Sequence, residues 1–163
     1  MRRFMPWSIV CALVLVCSSL VSAEEAMPDP KQMIQEKESP FATVEETVAV
    51  IKKNIEATEG WVINGIKPMD KKIKELGGPK ILPVTLIDAC NPHHAGAILQ
   101  NDADRYASVM MPCTVSVYQK TDGKVYVGYV NARLVGQMFG GGVAKIMGGA
   151  VADDQDKFLT LTK

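Results

Sequence analysis

Two segments of alternating residues in the middle of the chain constrain its fold more than any other feature. Val115 and Val117 occupy alternate positions in residues 114–119, Val125, Val127 and Tyr129 do so in residues 124–130, and the sequence Thr-Asp-Gly at 121–123 is typical of a tight turn. Side chains at alternate positions of a strand point to the same face of a sheet. These residues therefore predict an antiparallel β-hairpin that buries one of its two faces.

The most regular helical pattern lies upstream of the hairpin. Thr43 and Glu46 have the spacing of a capping box, in which each side chain accepts a hydrogen bond from an otherwise unpaired backbone N–H. An apolar stripe with helical spacing follows at Val44, Val48, Ile51 and Ile55. We predict a helix that begins after Thr43, ends near Gly60 and packs one face against the sheet.

The remaining segments complete a domain of mixed helices and strands. Further strands are predicted at residues 39–42, 61–66 and 81–89, and shorter helices at 69–76, 93–100 and on both sides of the glycines at 140–142. Short connections favour antiparallel neighbours in a sheet. We therefore predict an α+β fold with two layers, in which a mainly antiparallel sheet is covered on one face by the first and last helices.

The N-terminus has the composition of a cleaved secretory signal peptide. Arg2 and Arg3 precede an apolar run, and Val-Ser-Ala at 21–23 supplies the small or β-branched residues that a signal peptidase reads. The apolar run is shorter than the roughly 20 residues that span a membrane. We predict a signal peptide at 1–23, a flexible lead-in at 24–38 and a single domain at 39–163. The mature protein would be periplasmic or secreted, without a membrane span.

The charge of the predicted mature chain argues against nucleic acid as a partner. The full sequence has 18 basic and 18 acidic residues, and loss of Arg2 and Arg3 leaves a slight acidic excess. Nucleic-acid binding relies on basic side chains that neutralise phosphates. The composition is compatible with a small ligand or a metal ion as the partner.

Residues 88–113 hold most of the chemically reactive side chains of the predicted mature chain. Cys90 and Cys113 are its only cysteines, because Cys11 and Cys17 belong to the signal peptide. Cys90 is predicted to end one strand and Cys113 to begin the next, which makes the two residues neighbours. In an oxidising compartment such a pair tends to form a disulfide.

The same stretch has the composition of a site for a soft metal ion. Thiolate, imidazole and thioether groups bind Cu(I), or Zn(II) if only sulfur and nitrogen are used. The candidate ligands are Cys90, His93, His94, Met110, Met111 and Cys113. Copper is thus a candidate cofactor, and no motif for covalent haem is present. A redox-active thiol pair is the alternative, because a helix that starts just after Cys90 would favour its thiolate.

A catalytic site and an aromatic pocket are two further hypotheses. Either cysteine can be combined with His94 and Asp88 as nucleophile, base and orienting acid, but nothing in the chain indicates an oxyanion hole or a substrate motif. No catalytic residue is therefore predicted. The second hypothesis is a pocket for a small apolar ligand, lined by Tyr106, Tyr118, Tyr129 and Phe139.

Several of these segments resemble one known family. They are Phe-Ala-Thr-Val-Glu-Glu-Thr-Val from residue 41, Cys-Asn-Pro-His-His-Ala from residue 90, Met-Pro-Cys-Thr-Val-Ser-Val-Tyr from residue 111 and Asp-Gly-Lys-Val-Tyr-Val from residue 122. The family is the domain of unknown function 302, and the resemblance covers residues 39–131. It implies a curved sheet packed on helices, similar to the TATA-binding-protein class, and a homodimer. It implies no activity.

Overall fold

Five strands form one antiparallel sheet in the computed structural model, which describes residues 30–162. In chain order they are β1 (Ile34–Glu38), β2 (Val62–Pro68), β3 (Val84–Cys90), β4 (Cys113–Gln119) and β5 (Val125–Val130). Across the sheet the order is β1-β5-β4-β3-β2, and each neighbouring pair is antiparallel. The predicted α+β class and the β4–β5 hairpin are confirmed.

Helices connect the strands and follow the last one. They are α1 (Pro30–Met33), α2 (Val44–Ala57), α3 (Met69–Glu75), α4 (Pro92–Leu99), α5 (Ala132–Phe139), α6 (Gly141–Lys145) and α7 (Ala152–Phe158). A 3₁₀ helix spans Arg105–Met110, and a π-helical turn spans Ile146–Val151. None of the helices in residues 30–162 is long and apolar enough to cross a membrane. The predicted signal peptide lies outside the described residues.

The capping box at the start of α2 forms as the sequence predicts. The Thr43 hydroxyl accepts a hydrogen bond from the backbone N–H of Glu46 at 3.2 Å, and the Glu46 carboxylate accepts one from the backbone N–H of Thr43 at 3.1 Å. The helix then buries Val44, Thr47, Ile51 and Ile55. It contacts β2, β3, β4 and α7, so it covers the side of the sheet that runs from β4 to the edge strand β2.

The core residues that the strands contribute lie on one face of the sheet. Its buried side chains alternate along β3, β4 and β5 and are Ile87, Ala89, Val115, Val117, Val125 and Val127. They belong to one cluster with the buried residues of α2, α5, α7 and the π-helical turn. The opposite face carries Thr114, Ser116 and Tyr118 along β4, which is the polar alternation expected of a sheet with one buried side.

The predicted flexible lead-in is wrong for residues 30–38, which form α1 and β1. β1 pairs with β5 from Ile34 opposite Val130 to Glu38 opposite Tyr126. β1 has no apolar alternation and is held mainly by its backbone pairing with β5, beside exposed ion pairs such as Glu38 with Lys124 at 2.8 Å. The first strand is thus at 34–38 and not at 39–42, and the domain begins earlier than residue 39. Residues 24–29 lie outside the described part.

The glycine-rich C-terminal region packs two helical segments backbone against backbone. A Cβ atom on Gly136 of α5 would lie 2.5 Å from the backbone nitrogen of Gly148 in the π-helical turn and 2.7 Å from its Cα. Side chains essentially never approach backbone atoms so closely, so only glycine fits at this crossing. This contact fixes the π-helical turn against α5.

We expect Gly136→Ala to destabilise the domain, because its methyl group must displace the Gly148 backbone. Overpacking of this kind costs about 1–3 kcal/mol in the free energy of unfolding, which urea titration measures. Gly149→Ala is the matched control, since a Cβ atom there meets nothing within 4 Å. The control should leave stability unchanged or raise it by up to about 1 kcal/mol. Equal stability of the two variants would contradict the packing argument.

Candidate functional site

The candidate site is a small cavity at one end of the sheet, which we call the sulfur cavity. Its walls come from the end of β3, from α4, from the segment that leads into β4 and from the π-helical turn. Five of its lining residues carry sulfur: Cys90, Met110, Met111, Cys113 and Met147. The others are Trp61, Asn91, His94, Ala95, Ile98, Pro112 and Val151. The structure thus brings together five of the six candidate ligands: Cys90, His94, Met110, Met111 and Cys113.

The sulfur cavity is very small and its surface is almost entirely apolar. Its free volume is about 20 Å³. A cavity needs roughly 10–15 Å³ to hold one water molecule, and pockets for drug-sized ligands measure about 300–1,000 Å³. The space therefore suits one atom or ion and excludes an organic molecule.

Local hydrogen bonds around Asn91 place His94 in the cavity wall. The Asn91 side-chain oxygen caps α4 by accepting from the backbone N–H groups of His93 at 3.0 Å and His94 at 3.3 Å. Pro92 occupies the first turn, where a missing N–H costs nothing. The cap fixes the start of α4, so that His94 faces the cavity while His93 is exposed and lines no part of it. His93 is therefore separate from the predicted ligand group.

A carboxylate from the last helix contacts two residues of the cavity wall, Trp61 and His94. Asp154 of α7 accepts hydrogen bonds from Trp61 Nε1 at 2.9 Å and from Lys157 Nζ at 2.7 Å, and its Oδ2 lies 3.5 Å from His94 Nε2. Burial alone would raise the pKa of the Asp154 carboxyl group, but the hydrogen bonds from Lys157 and Trp61 outweigh burial and lower it. The Trp61 ring also packs edge-on against Phe158, with 5.1 Å between ring centroids.

Both thiols are free, and they differ in their surroundings. Burial, and secondarily the proximity of Cys90, raise the pKa of the Cys113 thiol to about 11, and burial also raises the pKa of Cys90. The sequence predicts a lowered pKa for Cys90 from the start of α4, but burial acts in the opposite direction and raises it. Neutral thiols are weak nucleophiles.

The two thiols differ in their place in the sheet. Cys113 is opposite Ala89 and shares its helix-covered face, whereas strict alternation would place Cys90 with Asp88 on the other face at the end of β3. Both side chains nevertheless line the sulfur cavity, and Cys90 is near enough to raise the pKa of Cys113. The disulfide between them stays a prediction.

The predicted aromatic pocket does not assemble. Tyr118 stacks on Tyr126 on the uncovered face of the sheet, and its hydroxyl donates to Glu36. Tyr106 contacts Phe139 near the surface, with 5.8 Å between ring centroids. Tyr129 lines a separate polar cleft beside α5. These rings share no cavity because their strands and helices face different sides of the domain.

Asp88 also has a role other than the one considered for catalysis. Its carboxylate is buried and forms an ion pair with Lys67 and a 2.8 Å hydrogen bond with the Thr114 hydroxyl. Burial opposes ionisation of Asp88, but these two partners outweigh it and lower the pKa. Asp88 therefore ties β2 to β4 across the uncovered face and does not orient His94. Within residues 30–162, no three His, Cys, Asp or Glu side chains are close enough to hold a metal ion.

Sequence comparison identifies the family of the chain. The family profile "Domain of unknown function DUF302" matches residues 35–160. The chain belongs to the DUF302 family. The crystal structure of an uncharacterised conserved DUF302 protein from Bacillus stearothermophilus is similar, with a TM-score of 0.66, 20% sequence identity and coverage of 78% of this chain and 95% of that chain. At this identity the likeness concerns the fold alone, and no curated protein matches the chain.

The DUF302 domain also contains site residues that the sequence did not indicate. Met147 falls in the predicted helix after the glycines at 140–142, where it counts only as an apolar residue, and Trp61 precedes β2 without any motif. Asp154 is an acidic residue in the first turn of α7, and its contact with Trp61 spans 93 residues of chain. An isolated Met in an otherwise apolar pattern is the one signal that points to Met147, and core packing explains it equally well.

We expect Asp154→Ala to destabilise the protein, because it leaves the partly buried Trp61 N–H without an acceptor. Loss of such a partner costs about 1–3 kcal/mol. Since the folded-state pKa of Asp154 is lowered, its contribution is fully present above the ordinary carboxyl pKa of about 3.9 and is lost as the pH falls through the lower folded value. Urea unfolding at pH 7 and at pH 3 should show a smaller difference from wild type at the acidic pH.

Asp153→Ala is the control for this measurement. Asp153 is exposed and pairs with Arg133 on the surface, so its loss should change stability by less than about 1 kcal/mol. Equal effects of the two substitutions would show that the Trp61 contact contributes nothing.

Proposed function

We propose that the domain binds a single Cu(I) ion in the sulfur cavity. One observation carries this proposal: a space for one atom, about 20 Å³, lies between five sulfur-bearing side chains in an apolar wall. Hard cations such as Mg²⁺ and Ca²⁺ require several oxygen ligands. Thiolate and thioether groups select Cu(I) instead.

Charge favours a monovalent ion over zinc. An unpaired charge in an apolar cavity is costly, whereas Cu(I) bound to one thiolate and neutral thioethers forms a site without net charge. Zn(II) with the same ligands would leave one positive charge buried. Structural zinc sites also use four thiolate, imidazole or carboxylate ligands, and the described residues offer no cluster of even three.

We assign Cys113 as the thiolate ligand and the methionines as its partners. Cys113 is on the helix-covered face with Ala89, and Met147 reaches the cavity from the π-helical turn opposite. Met110 and Met111 approach from the segment that enters β4. Cu(I) displaces the proton of Cys113, so binding does not require a thiolate beforehand. Cys90 borders the cavity from the other face of the sheet and contributes less.

Thiol–disulfide exchange by the same cysteines has less support. This reaction needs a thiolate as the attacking group, and burial raises the pKa of both thiols. The two side chains also start from different faces of the sheet. Metal binding is consistent with both observations.

Titration with Cu(I) against a competing chelator, under anaerobic conditions, tests the proposal. We expect one equivalent to bind. Cys113→Ser should lower the affinity more than roughly 100-fold, because removal of a direct ligand exceeds the 10–100-fold typical of outer-shell changes. Cys90→Ser should have a smaller effect. Ag(I), which has the same charge and softness, should compete for the site.

Met147→Leu tests the role of one thioether ligand, and Met138→Leu is its matched control. Both replace a thioether by an apolar group of similar size, but Met138 is 44% exposed and lines no part of the sulfur cavity. Only Met147→Leu should weaken Cu(I) binding. Full Cu(I) affinity in Cys113→Ser would disprove the assigned site.

We further propose that this function is exercised outside the cytoplasm. The support is the signal-like sequence at residues 1–23, which lies outside the described residues. We expect the exported protein to begin at Glu24, and mass spectrometry of its N-terminal peptide checks this. An intact Met1 on the exported protein would contradict the proposal. Formation of a homodimer stays a prediction.

A further inference from the structure

A second recess adjoins the sulfur cavity and shares part of its wall; we call it the antechamber. It has a volume of about 210 Å³. The shared residues are Met110, Pro112, Cys113 and Met147, and the remaining wall is formed by Val109, Thr114, Val130, Ala132 and Gln155. Three of the sulfur-bearing side chains thus border both spaces.

The polar side chains of the antechamber already form hydrogen bonds within the protein. The Thr114 hydroxyl donates to Asp88 at 2.8 Å. Gln155 donates to the Val130 carbonyl at 2.9 Å and accepts from the Ala132 N–H at 3.5 Å. A guest therefore meets mainly aliphatic surface and sulfur. The volume is below the range of about 300–1,000 Å³ for drug-sized ligands, so the guest is a smaller molecule.

A recess of this kind beside an ion site can hold the molecule that delivers a soft metal ion. A soft cation in a cell is held by a soft donor, and it moves to a new site when the new ligand bonds to it before the old one leaves. Both donors must then lie within bonding distance of the ion at the same time. The 20 Å³ sulfur cavity has no room for a carrier molecule, but the antechamber does, and Cys113 borders both.

We propose that the antechamber admits a small thiol that carries Cu(I), and that Cys113 receives the ion there. This inference rests on the proposed Cu(I) site. The sulfur–copper bond of the carrier breaks as the bond between Cys113 Sγ and copper forms. The proton of the Cys113 thiol passes to the departing thiolate, which leaves as a neutral thiol. Copper remains Cu(I) throughout, so no oxidant or reductant is needed.

A substitution at Val109 can test this step while the proposed ligands Cys113 and Met147 stay unchanged. It borders the antechamber and is 86% exposed, so a larger side chain there can obstruct the recess without disturbing the core. Met138 is exposed on α5 and borders neither space. Val109→Trp and Met138→Trp thus form a matched pair.

Stopped-flow measurement of Cu(I) transfer from its 2-mercaptoethanol complex to the intact domain tests the inference. We expect Val109→Trp to slow transfer at least tenfold, while its equilibrium affinity against a chelator stays within twofold of wild type. Met138→Trp should transfer at the wild-type rate. Wild-type protein should also take Cu(I) faster from 2-mercaptoethanol than from glutathione, because the larger thiol exceeds the recess.

The outcomes separate this inference from the function on which it rests. Tight Cu(I) binding with an unchanged transfer rate in Val109→Trp overturns the antechamber, as do equal rates from the two thiols in wild type. Transfer that is fast only from a protein donor also overturns it. Absence of Cu(I) binding at equilibrium overturns the proposed function and this inference together.

Discussion

The register between β3 and β4 is the constraint on which the rest of the structure depends. Ala89 is opposite Cys113, so β3 ends where β4 begins and the chain between them leaves and re-enters the sheet at the same end. That excursion contains α4 and the 3₁₀ helix, and it forms much of the sulfur cavity wall. A shift of one residue would turn Cys113 to the uncovered face and expose Val115 and Val117. The apolar core thus fixes the position of the thiol.

The two faces of the sheet are stabilised in different ways. The helix-covered face excludes water with aliphatic side chains, while the uncovered face carries a buried Asp88 and a row of ion pairs that includes Glu36 with Lys120 at 2.5 Å. Exposed ion pairs contribute little to stability, so β1 relies mainly on its backbone pairing with β5. The proposed metal chemistry accordingly belongs to the covered face, where few polar groups compete with sulfur.

The sequence predicted those elements that are determined by residues close together in the chain. The hairpin, the capping box at Thr43 and the Asn91 cap of α4 follow from neighbouring residues, and all three form. β1 was missed because Gln-Glu-Lys-Glu at 35–38 has no apolar period and gains its structure from a strand some 90 residues away. Cys90, His94, Met111 and Cys113 line one cavity because β3 ends and β4 begins at the same end of the sheet, and whether they form a binding site stays a prediction. Met147 depends on the path of the π-helical turn, which no short pattern encodes.

The contact between Gly136 and Gly148 also limits how this sequence can evolve. In most core contacts a larger side chain on one residue can be accommodated by a smaller one on its neighbour. Here both partners already have no side chain, and the nearest atoms are backbone. No compensating substitution at Gly148 exists for a gain in size at Gly136. The restriction is one-sided, because a Cβ atom on Gly148 would lie 3.6 Å from the Gly136 Cα, an ordinary contact. The position of Met147, the residue beside Gly148, therefore depends on one glycine, Gly136, that no larger residue can replace.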